Sequence, residues 1–180
     1  MERLENARRL YERGLFQEAA AALRRICSDQ PQEAEAWWLL GVVARHLDQL
    51  ALSDDAFGRA CALLPRQMPL PHRVPPVEFV LLVERAKAAL RAPASSLRRE
   101  HFAIVEKAAA ADVPTRVASL PPAELIDGGV SPQARWAWSA DELTLYQVNH
   151  ENAAGSNRGL VRLIATSLVA AVRSRAAGRS

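Results

Sequence analysis

Long apolar runs are missing from this 180-residue chain. The longest, Ala36–Ala44 and Leu163–Val172, fall well short of the roughly 18–20 residues of a membrane span. The first residues, MERLENARRLYERG, are charged throughout and lack the apolar stretch of a secretion signal. A cytoplasmic protein without a membrane partner is expected. Lysine is nearly absent: only Lys87 and Lys107 occur, so arginine carries the basic charge. The balance of 23 Lys+Arg against 20 Asp+Glu, a net +3, makes nucleic acid an improbable partner, because such binders concentrate basic charge on one face. The one local cluster, Arg173, Arg175 and Arg179, suits a last helical turn, where cations complement the dipole. A nucleic-acid contact through these arginines is the alternative. No G-x-x-x-x-G-K is present, and Gly128-Gly129 sits among Asp127, Val130 and Pro132, which excludes a phosphate-binding loop of that type.

What remains is ordinary globular composition, 49% hydrophobic and 24% charged, enough for one compact domain or two small ones. An internal repeat organises its first third. Cys27 and Cys61 are 34 residues apart, as are Pro31 and Pro65, Ala19 and Ser53, Leu23 and Phe57, and Ile26 and Ala60. A fixed period of this length is the signature of a helix–turn–helix repeat. In the second copy Trp37, Leu40 and Gly41 occupy a first helix, Phe57 and Ala60 a second, and Pro65 closes it. Small Gly41 and Ser53 allow close helix approach, while Trp37, Leu40 and Phe57 fill the space between. The segment resembles the tetratricopeptide repeat family, with a degenerate first copy in which Asn6-Ala7 replaces Leu-Gly.

That resemblance implies a concave groove for a partner protein or peptide, lined by the first helices. In this register Arg9, Trp38, Val42 and Arg45 are the candidate partner-binding residues. Packing of Trp38 against a second domain is the competing reading. The lysine–asparagine carboxylate clamp of some family members is absent. The matched cysteines are expected as small buried residues rather than a disulfide, since stacked repeats sit roughly 8–10 Å apart and a disulfide needs Cα atoms within about 7 Å.

Five prolines between Pro65 and Pro76 mark a linker, within which His72 is expected to face solvent. Beyond it, Val77–Arg91 reads as a helix, Phe102–Val105 as a strand, and Pro114–Pro132 as loop-rich. Leu143–Val148 reads as a strand and Asn157–Arg173 as an amphipathic helix. Trp136 and Trp138 would share a strand face, as an exposed patch or as the edge of the core. The expected architecture is α+β and mostly helical. It comprises repeat hairpins at 1–66, a linker at 67–76, a small α+β domain at 77–175 and a basic tail at 176–180.

The strings Glu78-Phe79 through Leu90, Phe102-Ala103-Ile104-Val105-Glu106, and Leu143-Thr144-Leu145-Tyr146 leading to Asn149 and Glu151 follow one another in order. With the helix around Ile164–Val172, they resemble the minimal zinc-metalloprotease-like, or zincin-like, domain of bacteria. Active members of that family carry H-E-x-x-H on the last helix: two histidines hold zinc and the glutamate is the general base. Here the ligand positions fall on Ala170 and Ser174 with Ala171 for the glutamate, or one residue earlier on Val169 and Arg173 with Ala170. The resemblance therefore implies a degenerate former site with no cofactor and no catalysis, hence a pseudoenzyme.

His150-Glu151 begins like the zinc motif, but Ala154 stands where its second histidine would be. One histidine and one carboxylate are too few ligands for zinc, and a strand end would not make i and i+4 converge. His46, His72 and His101 show no ligand spacing, and His46 is expected near a helix end that favours its protonated form. The expected function is a non-catalytic interaction or scaffold protein. The alternative is a zinc-dependent peptidase or other hydrolase with an unorthodox site around His150, Glu151 and His101.

Overall fold

The computed structural model describes residues 2–91 and 109–177. Among these the chain is mostly helical with one three-stranded sheet, an α+β protein as the pattern predicts. None of the described helices is long and apolar enough to cross a membrane. The chain divides into two compact units, Met1–Pro71 with Leu120–Gln133, and His72–Ser119 with Ala134–Ser180. The expected linker, 67–76, is divided between these units after Pro71, and Leu120–Gln133, within the expected second domain of 77–175, groups with the first unit. The expected strand Phe102–Val105, along with His101 and Arg179, lies outside the described residues.

The first unit is built from two helical hairpins, α1 (Glu2–Glu12) with α2 (Phe16–Asp29), and α3 (Ala34–His46) with α4 (Leu50–Leu63). Each helix packs on its neighbour in sequence, and α1 also touches α3. The 34-residue period extends to the backbone. Gly14 (φ 74°) and Asp48 (φ 56°) both take the left-handed conformation that lets the chain reverse between the two helices of a hairpin. Around them Gly14 N–H donates to Tyr11 and Asp48 N–H to Arg45, while Leu15 N–H donates to Leu10 and Gln49 N–H to Ala44. These bonds repeat at the same spacing. The caps Gln30 (φ −134°, ψ 71°) and Leu64 (φ −136°, ψ 65°) match as well.

Close approach explains the small residues. A Cβ on Gly41 would stand 2.9 Å from Cδ1 of Phe57, and Ser53 Oγ donates to the Gly41 carbonyl at 2.9 Å. Trp38, not Trp37, meets Phe57, edge-on at 4.7 Å. Trp37 sits at the rim, donating to the Pro31 carbonyl at 2.9 Å and lying under Arg59 at 4.6 Å. The short helix α5 (Ala123–Asp127) completes this unit. Its Ile126 is buried, and a Cβ on Gly14 would meet Ile126 Cγ2 at 3.1 Å.

The second unit opens with α6 (Pro76–Arg91), started by a proline whose missing N–H costs nothing in a first turn. A helical turn at 109–112 leads into β1 (Thr115–Ala118), followed by β2 (Trp136–Ser139), β3 (Glu142–Tyr146), α7 (Gln147–Glu151) and α8 (Asn157–Ala177). The sheet order is β1-β3-β2, with β1 parallel and β2 antiparallel to β3. Trp136 faces Leu145, Trp138 faces Leu143, and Val117 faces Leu145, so these side chains share one face of the pleat. They pack with Phe79, Leu82, Leu160, Ile164 and Leu168 in one core. Trp136 and Trp138 are therefore the edge of the core, and Trp138 Nε1 donates to the Ala171 carbonyl at 3.0 Å.

Candidate functional site

Strand β3 does not run on to Val148. It turns into α7 at Gln147, and this corrects the expectation that His150-Glu151 lies at a strand end. In the helical arrangement the polar side chains of QVNHE, Gln147, Asn149, His150 and Glu151, all have partners. Gln147 and Glu151 are four residues apart and share a helix face. Gln147 Nε2 donates to Glu151 Oε1 at 2.7 Å and to the Val74 carbonyl at 2.8 Å, while Val74 N–H donates to Glu151 Oε1 at 3.1 Å. Both backbone groups of Val74 are thus held by side chains of α7. His72 N–H adds bonds to the Glu151 and Ala154 carbonyls. Its Nε2 donates to Asn157 Oδ1 at 2.7 Å, and Asn157 Nδ2 passes a bond to Glu78 Oε1 at 2.9 Å. The expectation that His72 faces solvent is thereby corrected: residues 72–74 are strapped onto α7.

His150 is fully buried. Its Nδ1 lies 2.8 Å from the Tyr146 carbonyl, which can only accept, so Nδ1 carries the proton. Nε2, 3.1 Å from Ser167 Oγ, then accepts from that hydroxyl. Burial lowers the His150 pKa from 6.5 to about 4, with Arg135 pushing the same way and the Tyr146 bond opposing. The imidazole is neutral at pH 7 and both nitrogens are engaged. Its ring is 5.7 Å from that of Phe79. Among the described residues, no group of three or more His, Cys, Asp or Glu could hold a metal ion. On α8 the positions implied by the zincin-like resemblance carry no ligand: Ala171 is buried in the core, and Ala170 and Ser174 are exposed. Zinc does not fit these residues. One buried polar atom among those described has no partner, the Tyr146 hydroxyl.

The candidate partner-binding residues are spread over α1 and α3. Arg9 is exposed and pairs with Glu5 of its own helix at 3.7 Å. Trp38 is half-buried against Phe57. Val42 is only 8% exposed and belongs to the core, so it offers a partner little surface. Arg45 is half-buried. Trp38, Val42 and Arg45 share one side of α3 by spacing. The two helices are tied by Arg8 on Glu35 at 3.3 Å. His46 departs from expectation: it ends α3, but its ring stacks on Phe16 at 4.3 Å and its Nε2 lies 3.3 Å from the Tyr11 hydroxyl. Burial there lowers its pKa to about 4, outweighing the helix dipole. Cys27 is buried and Cys61 half-buried, both free, and burial raises the Cys27 thiol to about 11.

Sequence reasoning missed Gln147, Val74 and Ser167 as partners of this cluster. The i, i+4 spacing of Gln147 and Glu151 was the available signal. Comparison with protein-family models, with curated proteins and with solved structures finds no match to this chain.

Proposed function

We propose that the chain is a non-catalytic interaction protein. Two tetratricopeptide-like repeats hold a partner protein or peptide, and the second, zincin-like unit has Ala170, Ala171 and Ser174 in place of metal ligands and base. The observation that carries this reading is the repeat itself, which recurs at 34 residues in side chains, turn conformations and hydrogen bonds. Repeat stacks of this kind recognise partners through side chains presented on their helices, and Trp and Arg are favoured anchors of interfaces even when partly buried in the free protein. Trp38 and Arg45 supply both types on α3, with Arg9 on α1. The polar cluster around His150 supports the non-catalytic half of the reading. Its carboxylate is committed to the Val74 N–H and Gln147 and its imidazole to the Tyr146 carbonyl and the Ser167 hydroxyl, and a general base needs a free, accessible lone pair.

The test is retention of host proteins on the immobilised full chain, quantified for wild type, for Trp38→Ala with Arg45→Ala, and for the surface variant Arg9→Glu. The same retained species should be lost from both variants. Unchanged retention would move the interface away from α1 and α3.

A further inference from the structure

The chain passes between its two units at three places, Pro71–His72, Ser119–Leu120 and Gln133–Ala134. On the side of the second unit all three are fastened to the same element, α7. His72 N–H donates to the Glu151 and Ala154 carbonyls, and Val74 is held through both backbone groups by Gln147 and Glu151. Val148 N–H donates to the Ser119 carbonyl at 3.0 Å. Asn149 Nδ2 donates to the Ala134 carbonyl at 2.6 Å. The N–H of Tyr146, the residue that caps α7, donates to the next carbonyl, that of Arg135, at 2.8 Å. Four of the five residues of QVNHE thus each serve a crossing, and the fifth, His150, ties the helix to Ser167 of α8.

A helix this short has no stability of its own, since isolated helices below about 12–15 residues are marginal in water. Helix α7 therefore persists only while its partners hold it. Gln147 and Glu151 meet on Val74 because the helix sets them one turn apart, and the same turn aims the successive residues Val148 and Asn149 at two different crossings. Losing that turn breaks the three fastenings together. Composition makes the loss cheap. Val148 is the one apolar residue among the five, so little apolar area is given up, and the polar groups regain hydrogen bonds to water. Such elements open without global unfolding. Helices α6 and α8, by contrast, carry Phe79, Leu82, Leu160, Ile164 and Leu168 of the core.

We propose that α7 is a conformational latch: it opens and closes as one piece, and opening frees the second-unit ends of all three crossings together. The second unit thereby has one state that grips the chain entering and leaving the repeats and one that holds it slack, without itself unfolding. The latch is built from hydrogen bonds within the second unit, so it stands or falls independently of the surface the repeats offer a partner.

The test is native-state hydrogen exchange of the full chain, read residue by residue by NMR at rising subdenaturing guanidinium. The amides of His72, Val74, Tyr146 and Val148 report on the three crossings, with Leu82 of α6 and Ile164 of α8 as controls. In the wild type the four reporters should share one opening equilibrium and one denaturant slope, about tenfold or more above the opening of the controls. Asn149→Ala acts directly on the third crossing. It should speed exchange at His72, Val74 and Val148 as much as at Tyr146, by a common factor of about five or more, and leave the controls unchanged. Faster exchange at Tyr146 alone, unequal openings among the wild-type reporters, or controls that move by the same factor would each overturn the proposal. The wild-type comparison decides by itself if the variant fails to fold.

Discussion

The contact between Gly41 and Phe57 makes the repeat testable at the level of single atoms. A Cβ at position 41 would stand 2.9 Å from Cδ1 and 3.0 Å from Cγ and Cε1 of Phe57, against ordinary contacts that begin at 3.4 Å. The ring would have to retreat by about 0.5 Å, yet it is 1% exposed and wedged edge-on to Trp38. Forcing an extra carbon into such packing costs about 1–3 kcal/mol, offset by about 1 kcal/mol because alanine is the better helix former. Gly41→Ala should therefore destabilise the first unit by about 1 kcal/mol. Phe57→Leu, which removes ring atoms and leaves space, should cost about 1–2 kcal/mol. The first repeat carries Ala7 and Leu23 at the equivalent positions, both fully buried: a larger residue on one helix with a smaller one on the other. The double variant Gly41→Ala, Phe57→Leu recreates that pair and should lie near wild type, with a favourable coupling of about 2–3 kcal/mol. Native-state hydrogen exchange of α3 and α4 amides reads this unit separately from the other. Additivity within about 0.5 kcal/mol, or a Gly41→Ala protein that is simply more stable, would refute the reasoning.

Acid should loosen both units. His46 and His150 take a proton near pH 6.5 when unfolded but only near pH 4 in the fold. The native state thus binds fewer protons between those values. Stability should fall as pH drops through that window, by about 3 kcal/mol per histidine at most, and an imidazole NMR titration placing His150 at an ordinary pKa would contradict this. Glu151→Ala should leave the buried Val74 N–H and one Gln147 N–H unpaired, a loss of about 1–3 kcal/mol for each. Exchange of the residue 72–74 amides should rise with it, and unchanged protection would show that the strap is held by something else. With a thiol reagent at neutral pH, Cys61 should react before Cys27, whose thiol is buried and raised to about 11; mass mapping of the first adduct on Cys27 would reverse that order.

The hairpins were legible because one period fixes four helices at once, down to Gly41, Ser53 and Phe57. The positive-φ pair Gly14 and Asp48 lies on the same 34-residue spacing but is invisible to a search for like residues, since glycine and aspartate reach that conformation for different reasons. Helices α6 and α8 showed through their apolar spacing. Strand β1, with sequence TRVA between prolines and turns, did not, because four residues at a sheet edge are too few to display alternation. Helix α7 was hidden for the opposite reason: QVNHE continues the strand pattern of β3, and only tertiary partners at Val74 and Ser167 make the helical form the better one. His72 read as solvent-facing because proline density describes the backbone of a linker and says nothing of which surface takes up its hydrogen bonds.

Whether the His150-Glu151 cluster is a structural clamp in a binding protein or the start of a metal centre is decided most directly by zinc content. The untagged full chain, purified without added metal, should hold less than about a tenth of an equivalent, because both ring nitrogens of His150 are already engaged and the α8 positions offer no ligands. About one equivalent of zinc, lost on His150→Ala, would contradict the interaction-protein account and return the chain to the hydrolases.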